Sequence, residues 1–146
     1  MKTFAVKILC TILFSFALLC GARAGVDDAL SYALQAAQPY IKAGFTVRED
    51  YWGGDLPVKQ EKTIVQQLFK GNEYWFWMGT DSSTARISVH IYDAQGKLAE
   101  VESWNKKPHM AAARITPKAT GAYYLRVQIE KSPLERTHWA LAYGFR

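Results

Sequence analysis

The sequence predicts an all-β protein, an antiparallel jelly-roll-like β-sandwich of about eight strands, preceded by one N-terminal amphipathic helix. From residue 45 onward, apolar and polar residues alternate with a period of two in short runs that turn residues separate. A helical period occurs before residue 44. The predicted organisation is therefore a signal peptide over residues 1–24, a helix over residues 25–44 and a β-sandwich domain over residues 45–146.

The first 24 residues have the pattern of a secretory signal peptide. Lys2 and Lys7 give a positive start, an apolar run follows over residues 8–19, and Ala22-Arg23-Ala24 is a small-x-small cleavage site. The apolar run is shorter than the ~20 residues that a membrane-spanning helix needs. We therefore expect an exported protein, periplasmic or extracellular, with no transmembrane segment in the mature chain.

Cleavage changes the charge and the cysteine count. The whole sequence has a formal charge of +5, and loss of the three cations in residues 1–24, which contain no acid, leaves +2. This low charge predicts no nucleic-acid partner. Both cysteines, Cys10 and Cys20, are removed as well, so the mature chain is expected to be free of disulfides. A chain of about 120 residues can be stabilised by its apolar core alone, without disulfides.

The helix is predicted over residues 26–43, because apolar side chains recur there at steps of three and four residues. Gly44 is expected to end it, and Pro39 to kink or end it about one turn early. The predicted apolar face consists of Val26, Ala29, Leu30, Ala33, Leu34, Ala37 and Ile41.

The strands follow from alternation and turn residues. The best-specified strand follows Gly121 and places Tyr123, Leu125, Val127 and Ile129 on one side. Residues 53–57, rich in glycine, are predicted to form a loop. Residues 98–104 are predicted to pair with residues 86–92 as a hairpin around the turn Asp93–Gly96. The other predicted strands are residues 45–48, 62–69, 73–78, 111–116 and 137–145.

Three segments together resemble the bacterial pre-peptidase C-terminal domain. They are Phe69-x-Gly71-x-x-Tyr74-x-Phe76, Ile87-x-Val89-x-Ile91-Tyr92-Asp93-x-x-Gly96-x-Leu98 and Thr120-Gly121-x-Tyr123-Tyr124-x-Arg126-Val127. The resemblance covers residues 62–145 and implies a secreted jelly-roll-like sandwich with a non-catalytic role in adhesion or secretion. Some members of that family bind calcium through clustered acids, and Asp93 is the acid that stands in the corresponding turn here.

Four tryptophans are the candidate ligand-binding residues. If Tyr74 faces the core, Trp75 and Trp77 point the opposite way, and exposed indoles spaced by two could stack on sugar rings. Alternatively, the amphipathic helix covers them, and we favour this explanation because the helix needs an apolar partner. Trp52 and Trp104 are predicted in loop surroundings, where either ligand contact or local packing would explain them.

Acidic residues offer weaker candidates for chemistry. Asp50, Asp55 and Asp93 are possible cation ligands, but they lack a recognisable calcium spacing, so no cofactor is predicted. Glu100 and Glu102 share a predicted strand face, which is the basis for an alternative function as an exported hydrolase acting on polysaccharide. The primary hypothesis is a secreted, non-catalytic binding or adhesion module, with extracellular polysaccharide or another exported protein as partner. A third hypothesis is a structural protein whose helix docks on its own sheet or on that of a partner.

Overall fold

The computed structural model describes residues 25–146, and the predicted signal peptide lies outside the described residues. Helix α1 occupies residues 25–42, and nine strands follow it. The strands are β1 (Thr46–Val47), β2 (Trp52–Pro57), β3 (Glu61–Leu68), β4 (Tyr74–Thr80), β5 (Arg86–Tyr92), β6 (Glu102–Trp104), β7 (Met110–Ile115), β8 (Gly121–Lys131) and β9 (Arg136–Phe145).

The strands form two antiparallel sheets that face each other. The larger sheet has the order β1-β9-β4-β7-β6, and β2 pairs with β9 beside this path. The smaller sheet has the order β3-β8-β5. The prediction of an antiparallel β-sandwich behind a single helix is therefore confirmed.

Strand β8 is the centre of the smaller sheet, because it pairs with β3 on one side and with β5 on the other. Its inward residues are buried, as the alternation predicts: Tyr123, Leu125, Val127 and Ile129. The hydroxyl of Tyr123 donates a hydrogen bond of 2.7 Å to the carbonyl of Ala119. This bond ties the turn before β8 to the strand itself.

Strand β4 separates two apolar layers and is buried along its whole length. Tyr74, Phe76 and Met78 face the smaller sheet and belong to the main core. Trp75 and Trp77 point the other way, into a second cluster that includes alanines of helix α1. Both faces of this strand are covered, which explains why its sequence is apolar throughout.

Helix α1 lies very close to the larger sheet because both surfaces carry small residues. Ala29, Ala33 and Ala37 are fully buried, as predicted, and the adjacent Ala36 is buried too. Two larger residues that the period assigns to the apolar face are instead exposed, Leu34 by 38% and Ile41 by 44%. An alanine face replaces the predicted mixed face because bulky side chains would hold the helix away from the sheet.

The helix ends at residue 42, and Pro39 does not shorten it. Pro39 lies on the exposed side of the helix, where the lost backbone hydrogen bond faces solvent. Gly44 has a φ of +99°, and the backbone N–H of Phe45 donates to the carbonyl of Tyr40 at 3.0 Å. This is a Schellman cap, and the Tyr40 and Phe45 rings contact each other across it.

Two connections differ from the sequence prediction. Residues 53–57 belong to β2 rather than to a loop. Glycine at position 53 suits a strand here, because an added Cβ would lie 2.9 Å from Val26 Cγ1 on the helix. Residues 98–104 do not form a hairpin strand with β5. Leu98 makes one bridge to Tyr92, and the chain then crosses to the larger sheet, where β6 pairs with β7.

Candidate binding surface

Trp75 and Trp77 are not exposed for ligand binding. Their side chains are 4% and 0% exposed, and the Tyr40 ring of helix α1 lies 4.5 Å from Trp75 and 5.7 Å from Trp77, centroid to centroid. The idea of an exposed indole pair is therefore wrong in this structure, because helix α1 covers that sheet face. The favoured alternative, packing beneath the helix, is what the structure has.

Trp52 lies in strand β2 and not in a loop, where it is the register partner of Leu141. It is half-buried, packs against the main core and has its ring 5.4 Å from that of Tyr143. These contacts anchor β2 on the sandwich.

Trp104 lies at the end of β6 and keeps part of its surface exposed. Its indole N–H donates a hydrogen bond of 3.0 Å to the hydroxyl of Tyr40. The ammonium group of Lys107 lies 5.6 Å from the ring centroid, within the range of a cation–π interaction. Trp104 therefore anchors the last turn of helix α1 and also lies beside a cation.

The three candidate cation ligands lie in separate places, each with its own partners. Asp93 accepts hydrogen bonds of 2.9 Å from the backbone N–H groups of Gln95 and Lys97 and so stabilises its turn. Asp55 binds Arg136 at 2.9 Å, and this hydrogen bond holds the pKa of the Asp55 carboxyl below its usual value. Within residues 25–146, no cluster of three or more potential metal ligands is found.

Asp50 accepts a hydrogen bond of 3.2 Å from the hydroxyl of Tyr143 and lies 3.6 Å from the guanidinium of Arg48. Burial raises the pKa of Tyr143, and the nearby negative charge of Asp50 raises it further. Asp50 is thus committed to a local network at the edge of the larger sheet.

Glu100 and Glu102 do not form a carboxylate pair. The Glu100 side chain is 6% exposed and accepts hydrogen bonds from the backbone N–H of Ile91 at 3.1 Å and from His90 Nδ1 at 2.8 Å. The Glu100 carboxylate thus accepts the hydrogen bond from Ile91 that a backbone carbonyl of the predicted hairpin strand would have accepted. Glu102 binds Arg114 at 3.0 Å instead. Each carboxylate therefore has its own structural partner, and Glu100 is buried whereas Glu102 is exposed.

Among residues 25–146, one outer face of the sandwich has no helix over it. Helix α1 covers the larger sheet, whereas the outward side chains of the smaller sheet are exposed or half-buried, except for the buried Ser88. Across that face, strand pairing places four residues in one row, which we call the tyrosine band: Val65, Tyr124, Tyr92 and Leu98. Since neighbouring strands are ~4.8 Å apart, the band runs for about 14 Å across the sheet.

The tyrosine band combines apolar surface with the hydroxyl groups of its two tyrosines. Its ends, Val65 and Leu98, are 58% and 59% exposed, and its two tyrosines are half-buried. Arg126 lies in the next row, with its guanidinium carbon 4.5 Å from the Tyr92 ring centroid and its Nε 3.2 Å from Glu61. The result is a surface of the smaller sheet that brings aromatic, aliphatic and guanidinium groups together.

Sequence reasoning missed this surface, although a signal for it exists. Tyr124 is two residues before Arg126, and Tyr92 is two residues after His90. Since side chains two residues apart share a strand face, alternation assigns both tyrosines to outward faces. Alternation does not reveal that β5 and β8 are neighbours or that these two residues are in register. Those facts come from tertiary pairing.

No family model matches the chain, and no curated protein matches it. Among solved structures, it is similar to the crystal structure of Aeromonas hydrophila PliG, a periplasmic lysozyme inhibitor of g-type lysozyme, with a TM-score of 0.46 and 14% identity over 66% of this chain and 85% of that chain. Within the described residues, no helix has the length and apolarity needed to cross a membrane.

Proposed function

We propose that this protein is an exported, non-catalytic binding module, similar in role to pre-peptidase C-terminal domains, whose tyrosine band contacts another exported protein. Export follows from the predicted signal peptide. The observation that carries the binding role is the row of Val65, Tyr124, Tyr92 and Leu98 on the smaller sheet, with exposed ends and half-buried tyrosines.

The composition of the band favours a protein partner. Tyrosine and arginine are enriched at the centres of protein interfaces, where they contribute much of the binding energy. Val65 and Leu98 extend the same surface with aliphatic area. Because Val65, Tyr124 and Tyr92 project from paired strands, little backbone freedom is lost at these positions when a partner binds.

The same geometry disfavours a polysaccharide at this surface. Stacking on a sugar needs a free aromatic face, and the guanidinium of Arg126 already lies over the Tyr92 ring. The aliphatic ends of the band would also gain little from hydroxyl-rich sugars. A protein partner with a complementary apolar surface would contact all four residues of the tyrosine band.

Site-specific crosslinking tests this proposal. The photoreactive residue p-benzoylphenylalanine is placed at Tyr124 in the band and, as a control, at the exposed Lys70 outside it. The protein is expressed with its complete sequence in its native exporting cells and irradiated there. We expect position 124 to capture a defined exported protein, identified by mass spectrometry, and position 70 not to capture it.

A second change confirms that capture depends on the band. Tyr92→Ser, combined with the photoreactive group at position 124, is expected to abolish the crosslink while the melting temperature stays close to that of the parent. Capture that persists in this variant, or equal capture from position 70, would refute the assignment of the surface. Turnover of a glycan panel by the unmodified protein would refute the non-catalytic role.

A further inference from the structure

A second surface, separate from the tyrosine band, has the properties of an anion-binding site. A cleft of about 330 Å³ lies at the end of the sandwich where β5 begins and β8 ends, and the β6–β7 connection forms its other wall. Four of its lining residues are cations, and none is an acid: Arg86, Lys106, Lys107 and Lys131. We call this cleft, with its four cations, the cationic cleft. Arg86 lies six residues before Tyr92 along β5, about 20 Å from the band.

The cations of the cleft have no carboxylate partners within the described residues. Of the six arginines there, Arg48, Arg114, Arg126, Arg136 and Arg146 each form an ion pair with an acid. Arg86 forms none, and residues 1–24 contain no acid that could pair with it. None of the three lysines of the cleft has an ion-pair partner either, among residues 25–146. Within the described residues, no ion pair therefore neutralises a cation of the cleft.

The strand pairing increases this charge concentration. Arg86 and Lys131 are direct cross-strand partners, an arrangement of like charges that is unfavourable for folding. Residues 25–146 have a formal charge of only +2, so general basicity does not explain the cluster. A bound anion would offset the repulsion, and the arginine fork is suited to bidentate binding of carboxylate, sulfate or phosphate.

The surroundings of the cleft favour an acidic sugar chain. Lys107, which lines the cleft, has its ammonium group 5.6 Å from the ring centroid of the partly exposed Trp104. Thr84 and Asn105 also line the cleft and offer a hydroxyl and an amide to sugar hydroxyl groups. The volume is near the lower end of the ~300–1,000 Å³ range of small-ligand pockets. It therefore suits a short part of a polymer whose remainder extends over the surface.

We propose that the cationic cleft binds an acidic polysaccharide, with Arg86 and Lys131 holding its anionic groups and Thr84 and Asn105 facing its hydroxyl groups. This site is independent of the tyrosine band and of the protein partner proposed there. It gives the module two attachment points, one for a protein and one for a polyanionic matrix.

Binding measurements on the purified protein, expressed with its complete sequence in an exporting host, test the proposal. The probes are polygalacturonate for carboxylate groups, heparin for sulfate groups, dextran as a neutral sugar and polyglutamate as an acidic peptide. We expect binding to at least one acidic polysaccharide, weakening as salt rises, and no binding to dextran. The two acidic probes distinguish which anionic group the cleft takes.

Charge-matched variants localise the site. Arg86→Gln together with Lys131→Gln is expected to weaken binding by about tenfold or more. Lys62→Gln together with Lys70→Gln removes the same charge from exposed positions outside the cleft and is expected to change binding by less than about twofold. The single change Lys131→Gln provides a second test, since it relieves the cross-strand repulsion and should not lower the melting temperature.

Three results would overturn the proposal. They are failure of the unmodified protein to bind both acidic polysaccharides at low salt, equal loss of binding in the two charge-matched pairs, and polyglutamate binding as tight as that of the sugars. Tyr92→Ser should leave polysaccharide binding unchanged, so failure of the protein-binding proposal is distinguishable from failure of this one.

Discussion

Replacement of Gly79 by alanine tests how closely helix α1 packs on the larger sheet. Gly79 follows Trp75 and Trp77 on the helix-facing side of β4. A Cβ at this position would overlap the carbonyl oxygen of Ala29 and lie 2.5 Å from the backbone nitrogen of Ala33. Both are helix backbone atoms, so no rotation of a side chain can relieve the overlap.

The size of the effect follows from the displacement. Ordinary contact begins at 3.4 Å, so the helix must retreat by about 0.9 Å at Ala33 alone, and by more at Ala29. A gap of that size removes a quarter to a half of the dispersion energy along the alanine face. Overpacking of this kind costs about 1–3 kcal/mol, and we expect the upper half of that range. For a domain of this size, the melting temperature should then fall by roughly 8–12 °C.

Thermal and urea unfolding followed by tryptophan fluorescence measure this change, because Trp75 and Trp77 lie directly beneath the helix. Gly121→Ala is the matched control, since an added Cβ there meets no atom within 4 Å and should change stability by less than about 0.5 kcal/mol. Oxidative footprinting should also show greater modification of Trp77 in Gly79→Ala than in the parent. A melting temperature for Gly79→Ala equal to or above that of the parent would refute close helix packing.

Two further predictions concern groups with buried polar contacts. Burial and the charge of Asp50 raise the folded-state pKa of Tyr143 above 10.0, so the contribution of Tyr143 to stability is present below pH 10 and is lost as the pH rises further. Above pH 10, Tyr143→Phe should therefore lose less stability than the parent. Parallel pH–stability curves for the two proteins would contradict the shift. Glu100→Ala leaves the Ile91 N–H without its acceptor and should cost about 1–3 kcal/mol in urea unfolding. Glu102→Ala removes a partly exposed ion pair and should cost under about 1 kcal/mol, so equal losses for the two glutamates would contradict their different burial.

Sequence periodicity predicted which side chains share a face. The alternation around Leu125 and that around Phe76 both correspond to buried faces, and Gly44 ends the helix with a positive φ. These features are local, because backbone geometry dictates the direction of each successive side chain and a left-handed residue favours glycine.

The sequence did not predict where chain segments cross between sheets. Residues 98–104 alternate like a hairpin strand, yet the carboxylate of Glu100 takes over the Ile91 hydrogen bond and β6 joins the other sheet. Likewise, residues 53–57 have the composition of a loop but pair with β9 along their length. In both cases a long-range contact overrides the local preference, as is common for strands.

The two proposed binding surfaces also combine residues that the sequence shows with an arrangement that only the tertiary structure provides. The residues of the tyrosine band and of the cationic cleft are visible in the sequence as outward tyrosines and scattered cations. Their assembly depends on the pairing of β8 with β3 and β5, and on the connection before β7 that places Lys106 and Lys107 near Lys131. Such proximity between distant segments has no local signature.

By itself, the sequence determined the sandwich class and the face of most strand residues, because each depends on composition or on a short-range period, and the signal peptide over residues 1–24 stays a prediction. Only the tertiary structure decided that helix α1 buries Trp75 and Trp77, and that the open face belongs to the smaller sheet. The physical reason is the backbone contact at Gly79. A close fit between a helix and a sheet depends on the positions of atoms from segments about fifty residues apart, and no periodic pattern encodes those positions.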